Sequence, residues 1–194
     1  MNSNEDILIE THPWPPFIPE GSRVLIMGTF PPGPHRWSMN FYYPNRTNDF
    51  WYMMGLIFYG DRAALLKSGA KEFDLEAIKA LLTEKKIALN DTGRKVRRLK
   101  GNASDKFLEI LEPVPLYELL KEIPNCRHIA TTGMKAAEVI ASATATIVPK
   151  MGEDVIAQDG LHIWRMPSTS RAYPMKLEEK AAHYSKLFKA AGIL

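Results

Sequence analysis

The chain has 194 residues, 45% of them hydrophobic, 24% charged and 10% aromatic, with a formal net charge of +3 and a sequence pI near 8.9. That composition suits one globular domain with enough apolar material for a core, and the mild basicity permits a polyanionic partner without requiring one. Cys126 is the single cysteine, which excludes an internal disulfide framework and a cysteine-ligated iron–sulfur cluster or zinc ribbon, and no apolar run approaches the ~18 residues of a membrane span.

The first residues, MNSNEDILIETHPWPPF, are acidic and broken by prolines, the reverse of a signal peptide's basic-then-apolar layout, so a cytoplasmic protein is expected. Residues 1–21 read as an extended, proline-rich lead-in, because successive prolines bar their predecessors from the α region. No repeat or long linker follows, so 1–194 reads as a single domain.

Residues 23–27 (RVLIM) predict a short buried strand, closed by Gly28 and a loop rich in glycine and proline. Residues 48–59 (NDFWYMMGLIFY) predict a buried aromatic helix that Asn48 could cap. Residues 74–85 predict an amphipathic helix capped by Asp74, with Leu75, Ile78, Leu81 and Leu82 on one face. A second strand is expected at 87–89. A helix is expected at 104–112, from a cap at Ser104 to a stop at Pro113, and a short one at 116–121. Residues 128–132 (HIATT) predict a third strand leading through Gly133 into a helix at 135–141, and 161–166 (LHIWRM) a fourth. The closing helix, 177–191, places Leu177, Ala181, Tyr184, Leu187, Phe188 and Ala191 on one stripe, with Gly192 as its stop.

Alternating strands and helices imply an α/β fold, a parallel sheet with helices on both faces. Such sheets bind ligands beyond the carboxyl ends of their strands. Three unusual loops fall there, at 28–51, 90–105 and 167–174. The first is GTFPPGPHRWSMNFYYPNRTNDFW, where a glycine- and proline-fixed path runs into Phe41, Tyr42 and Tyr43. Those rings either stack on a flat ligand or simply cap the core. The second loop carries a basic run in which five of the seven residues 94–100 are Lys or Arg, among them Arg97, Arg98 and Lys100. It is either a solvated face or a nucleic-acid contact. The third, MPSTSRAYP, sets Ser168, Thr169 and Ser170 beside backbone amides with Arg171 at the tip. It reads as a phosphate grip or as a plain Ser/Thr turn.

Metal chemistry has little support. His12, His35, His128, His162 and His183 are scattered, with no close pair at ligand spacing. His128 and His162 read as structural histidines in or beside strands, and Cys126 precedes a buried strand on its amino side, a poor place for a nucleophile. Neither GxxxxGK[ST] nor GxGxxG occurs. No metal and no cofactor are expected.

Together VLIMGTFPP, FYYPNRTNDFW and MPSTSRAY resemble, in order and approximate spacing, the motifs of the uracil-DNA glycosylase superfamily. The likeness is nearest to its hypoxanthine-DNA glycosylase and mismatch-specific uracil glycosylase branches. The resemblance implies a three-layer α/β/α fold with a four-stranded parallel sheet. It implies a monofunctional enzyme that hydrolyses the N-glycosidic bond of a flipped deaminated base, uracil (including G:U mismatches) or hypoxanthine. By position it implies a pocket floor at Gly28, Thr29, Phe30 and Pro31, stacking by Tyr43, phosphate contacts from Ser168, Thr169 and Ser170, and Arg171 as a wedge in the emptied stack. Phe30 stands where mismatch-specific relatives place a water-positioning Asn and uracil-specialised ones an Asp; the hypoxanthine branch also lacks that residue and relies on the Asn that matches Asn48, so the resemblance makes Asn48 the catalytic candidate. Asp91 and Asp105 are the alternative water activators. The implied partner is double-stranded DNA, with single strands left open, bound by a monomer away from membranes. The competing readings are a DNA-binding module of the same fold without turnover, and an α/β hydrolase acting on a small nucleotide.

Overall fold

Four short apolar runs build the centre of the molecule. In the computed structural model, which describes residues 8–99 and 107–194, they form β2 (Val24–Gly28), β3 (Ile87–Asp91), β6 (His128–Thr132) and β8 (His162–Met166). These four are mutually parallel in the order β3-β2-β6-β8. A fifth strand, β7 (Glu153–Ile156), pairs antiparallel with β8 at the edge. The expected four-stranded parallel sheet is therefore corrected to a five-stranded mixed one. β7 has four residues, exposed or half-buried, too short and too polar to announce itself by alternation.

Period-two alternation along the parallel strands separates two cores. Val24, Ile26, Ile87, Leu89 and Trp164 face one side, where α1 (Phe50–Tyr59), α2 (Leu75–Glu84) and α5 (Leu177–Ala190) cover them. Leu25, Met27, Ala88, Ile129 and Ile163 face the other, under α3 (Leu116–Glu122) and α4 (Met134–Thr144). The result is three layers. Asp74 caps α2 by accepting the Ala77 N–H at 3.0 Å, the local signal read from the sequence.

A second sheet departs from expectation. β1 (Ile9–Thr11), β4 (Gly93–Arg98) and β5 (Leu108–Pro113) form an antiparallel sheet in the order β1-β4-β5. The basic stretch expected in a loop is thus strand β4, and the helix expected over 104–112 is replaced in its described part by β5. Lys100, Ser104 and Asp105 lie outside the described residues. Two features decide the outcome. Leu108 and Ile110 alternate with Glu109 and Leu111, and Val96 pairs with Ile110. Charges then pair across the strands: Arg94 and Lys95 with Glu112, Arg97 with Glu109, and Arg98 with Glu10. Cross-strand opposite charges of this kind stabilise a ladder by ~0.2–1 kcal/mol each.

One buried ion pair joins the layers at the carboxyl end of the sheet. Lys180 of α5, with a side chain 0% exposed, reaches Asp49 Oδ2 at 2.9 Å and donates to the Ser170 carbonyl at 2.9 Å. Losing one partner of such a pair strands the other charge out of water. We predict that Lys180→Met lowers the urea-unfolding free energy by about 3–5 kcal/mol, whereas Asp49→Leu/Lys180→Met together loses much less, because no buried charge is left unpaired.

Candidate active site

A cleft of about 620 Å³ opens at the carboxyl ends of β2, β3, β6 and β8. Its floor is set by close approach. A side chain on Gly28 would place Cβ 2.6 Å from Asp91 Oδ1 and 3.5 Å from both Thr132 Oγ1 and the Tyr43 hydroxyl. Only glycine leaves room there for the carboxylate, and the parallel register opposes Gly28 to Asp91. Asp91, Thr132 and Tyr43 thus converge over one Cα.

Tyr43 adopts φ 51°, a left-handed backbone that non-glycine residues rarely take and that costs roughly 1–3 kcal/mol. The turn lays its ring on Phe50 at 3.8 Å between centroids and 13° between planes. Preceding it, Tyr42 is buried, and its single O–H has two acceptors in reach, Asn90 Oδ1 at 3.1 Å and the Pro15 carbonyl at 3.0 Å. Burial, then the Asp91 charge, then Tyr43 hold its hydroxyl far above the usual tyrosine range. Tyr42 therefore stays a protonated donor.

Asn48 lines the cleft, but its Oδ1 accepts the Phe50 N–H at 2.9 Å. The expected cap at Asn48 is corrected: the N-cap of α1 is Asp49, and Asn48, one residue earlier, makes an Asx-type turn onto Phe50. The oxygen is committed to the first turn of α1, and the amide NH2, which has no hydrogen-bond partner among the described residues, is left for the cleft.

The 167–174 loop is held from three sides. Tyr184 donates to the Pro167 carbonyl at 3.1 Å, its hydroxyl held protonated chiefly by burial. Asp49 N–H donates to the Thr169 carbonyl at 2.8 Å, and Lys180 grips Ser170. Within the loop, Ser168 Oγ accepts the Ser170 N–H and Ser170 Oγ accepts the Ala172 N–H. Each hydroxyl spends a lone pair on the backbone and keeps its proton to donate.

The cleft brings together Gly28, Thr29, Phe30, Pro31, Tyr43, Asn48, Asp91, Ser168, Thr169 and Ser170. Three other candidates lie off it. Arg171 turns to Asp49 Oδ1 at 3.3 Å and over the Tyr52 ring at 5.8 Å. Arg98 binds Glu10 and donates to the Pro31 carbonyl, bracing the floor loop from outside. Arg97 faces Glu109 across the ladder. Sequence reasoning missed Arg36, Thr132 and Tyr173, which also line the cleft, and it missed His12, whose Nε2 lies 2.9 Å from Asp91 Oδ2. His12 and Asp91 are 79 positions apart, so no local spacing announces their meeting.

His128 and His162 sit at the opposite, amino end of their strands, stacked at 4.6 Å. His128 Nδ1 accepts from the Trp164 indole at 3.2 Å, and burial, followed by neighbouring His162, holds its pKa below the usual histidine range. Both are structural groups. Among the described residues no three His, Cys, Asp or Glu side chains gather into a metal-binding group, and no helix is long and apolar enough to cross a membrane.

The three-layer arrangement and its strand-end cleft define the fold. That fold is shared with the solution NMR structure of a putative uracil DNA glycosylase from Methanosarcina acetivorans, at a TM-score of 0.66 and 20% sequence identity, over 95% of this chain and 99% of that one. No protein-family model and no curated protein matches the sequence.

Cys126 is not a nucleophile. It is buried, its thiol is pushed up to about 12 mainly by desolvation, and Sγ contacts the His128 carbonyl at 3.5 Å. A neutral aromatic disulfide reagent at pH 8 is expected to leave Cys126 unmodified in the folded protein and to label it stoichiometrically in denaturant. Rapid native labelling would contradict this burial.

Proposed function

We propose that the chain is a DNA glycosylase that hydrolyses the N-glycosidic bond of a flipped, deaminated base, uracil or hypoxanthine, without metal or cofactor. One observation carries the reading: the Asp91 carboxylate lies over Gly28 on the floor of a cleft whose walls are Tyr43, Asn48 and the serine-rich loop. The shared fold of the Methanosarcina protein supports it.

A base in the duplex is inaccessible and must be extruded, at a cost of a few kcal/mol that damaged or mismatched pairs reduce. Tyr43, backed by Phe50, offers it a rigid face for stacking. The backbone at 28–31 meets its polar edge. Ser168 and Ser170 donate their hydroxyl protons to phosphate oxygens, which positions the strand without reading it.

Hydrolysis breaks the bond from C1′ to the base nitrogen, and the base leaves with the electron pair. Positive charge develops on the deoxyribose and is stabilised by the carboxylate of Asp91. Water then bonds to C1′ and gives its proton to Asp91 Oδ1. The Asn48 amide orients that water by donating to its oxygen. Asp91, whose Oδ1 has no hydrogen-bond partner among the described residues, fits the proton-accepting role better than Asn48, whose side-chain oxygen already accepts the Phe50 N–H.

The charge pairing of β4 gives weight to a second reading. Arg94, Lys95, Arg97 and Arg98 are matched by glutamates, so the basic run no longer favours a polymer over a free nucleoside or nucleotide.

Labelled duplexes carrying uracil, hypoxanthine or thymine, treated with enzyme and then alkali, test the proposal. Strand breaks are expected at uracil or hypoxanthine. Asp91→Asn is expected to lower the single-turnover rate about 10²–10⁴-fold and Asn48→Ala about 10-fold, since one proton acceptor contributes more than one orienting donor. Release of free base from nucleosides with intact duplexes would instead establish the small-substrate reading. An Asp91→Asn enzyme at the parental rate would remove Asp91 from the mechanism.

A further inference from the structure

We infer that His12 is a positioning residue for Asp91, which makes the segment ahead of β2 part of the reaction centre. The inference rests on the role given to Asp91 under the proposed function.

His12 Nε2 meets Asp91 Oδ2 at 2.9 Å, with side chains only 7% and 8% exposed. The imidazole is fixed on every side that matters. It stacks on Tyr42 at 5.6 Å and 28°, and the Trp14 and Phe30 rings meet it T-shaped with centroids 5.8 and 5.4 Å away. Its backbone N–H donates to the Arg94 carbonyl at 2.8 Å, continuing the pairing of β1 with β4. Nδ1 lies 3.2 Å from the Trp14 N–H and 2.9 Å from the Trp14 carbonyl. When Nδ1 accepts that N–H, the ring proton resides on Nε2 and is donated to Asp91.

The consequence for Asp91 is orientation. With Oδ2 held by His12, Oδ1 is the oxygen that lies over Gly28 beside Thr132 and Tyr43. A free carboxylate would rotate about Cβ–Cγ and lose this alignment, and misplacement by about 1 Å can cost on the order of 10² in rate. The arrangement also gives Phe30 a purpose. Its ring packs T-shaped against His12 and lies 5.6 Å from the Arg98 guanidinium. Phe30, which lines the cleft where His12 does not, thus covers the imidazole and leaves Asp91 facing the cleft.

The test uses the full-length protein in the strand-break assay. His12→Ala is expected to lower kcat about 10–10²-fold while KM for the duplex stays within about twofold, because the loss is of alignment and not of binding. Added imidazole is expected to restore much of that rate in His12→Ala. His12→Phe, which fills the space, is expected to be as slow, to melt near the parent and to ignore imidazole. Parental kcat in His12→Ala, or a loss that imidazole does not repair, would overturn the inference. If Asp91→Asn is inactive while His12→Ala is parental, this inference fails alone; if Asp91→Asn is parental, the reading of Asp91 fails with it. A readout independent of turnover is long-range ¹H–¹⁵N NMR of the imidazole. A proton on His12 Nε2 whose resonance shifts in Asp91→Asn supports the pairing, and an unprotonated Nε2 refutes it.

Discussion

The ammonium of Lys180 sits at 0% exposure between the carboxylate of Asp49 and the carbonyl of Ser170, and three segments of the cleft are held in place through it. Asp49 precedes α1 and fixes the position of Asn48 beside it. Ser170 belongs to the loop after β8. Lys180 itself lies in α5, which packs across α1 in the larger core. A charge so deeply buried is tolerable only with partners in good geometry, so the three segments cannot separate without a large desolvation penalty. The same pair keeps Arg171 close to α1 by sharing Asp49. The serine loop therefore presents its hydroxyls from a rigid mount, although the loop itself has no regular structure.

A second mount comes from the small antiparallel sheet. Thr92 and Gly93 continue the hydrogen bonding of β3 past its end by donating to the carbonyls of Gly28 and Thr29. That places β4 at the rim of the cleft, where Arg98 reaches the Pro31 carbonyl. β1 pairs with the outer edge of β4 and delivers His12 to Asp91. Strain at Tyr43 and close packing at Gly28 concentrate on the same side, as expected where a backbone is shaped for a ligand and not for its own stability.

Much of the frame was legible from local signals. The strand at 128–132, the Asp74-capped helix and the terminal helix with its stop at Gly192 all follow from hydrophobic period and capping chemistry. So does the placement of the cleft among loops at the strand ends. β4 was not legible, because its residues, GRKVRR, offer Val96 alone as an inward apolar side chain. It becomes a strand through charges beyond the reach of local periodicity, on β5 from 12 positions on and on β1 88 positions back. β5 was misread because a plausible cap and a proline stop framed a segment whose alternation at Leu108 and Ile110 favours a ladder.

The sequence by itself determined the layered α/β class, the end of the sheet that carries the cleft, and most of the residues that line it. Those properties depend on periods of two or 3.6 residues and on caps within a turn, interactions a linear reading can see. The tertiary structure decided which of those residues act together. His12 meets Asp91 across 79 positions and Lys180 meets Asp49 across 131. Such pairings are set by strand order and helix packing, and no spacing along the chain encodes them.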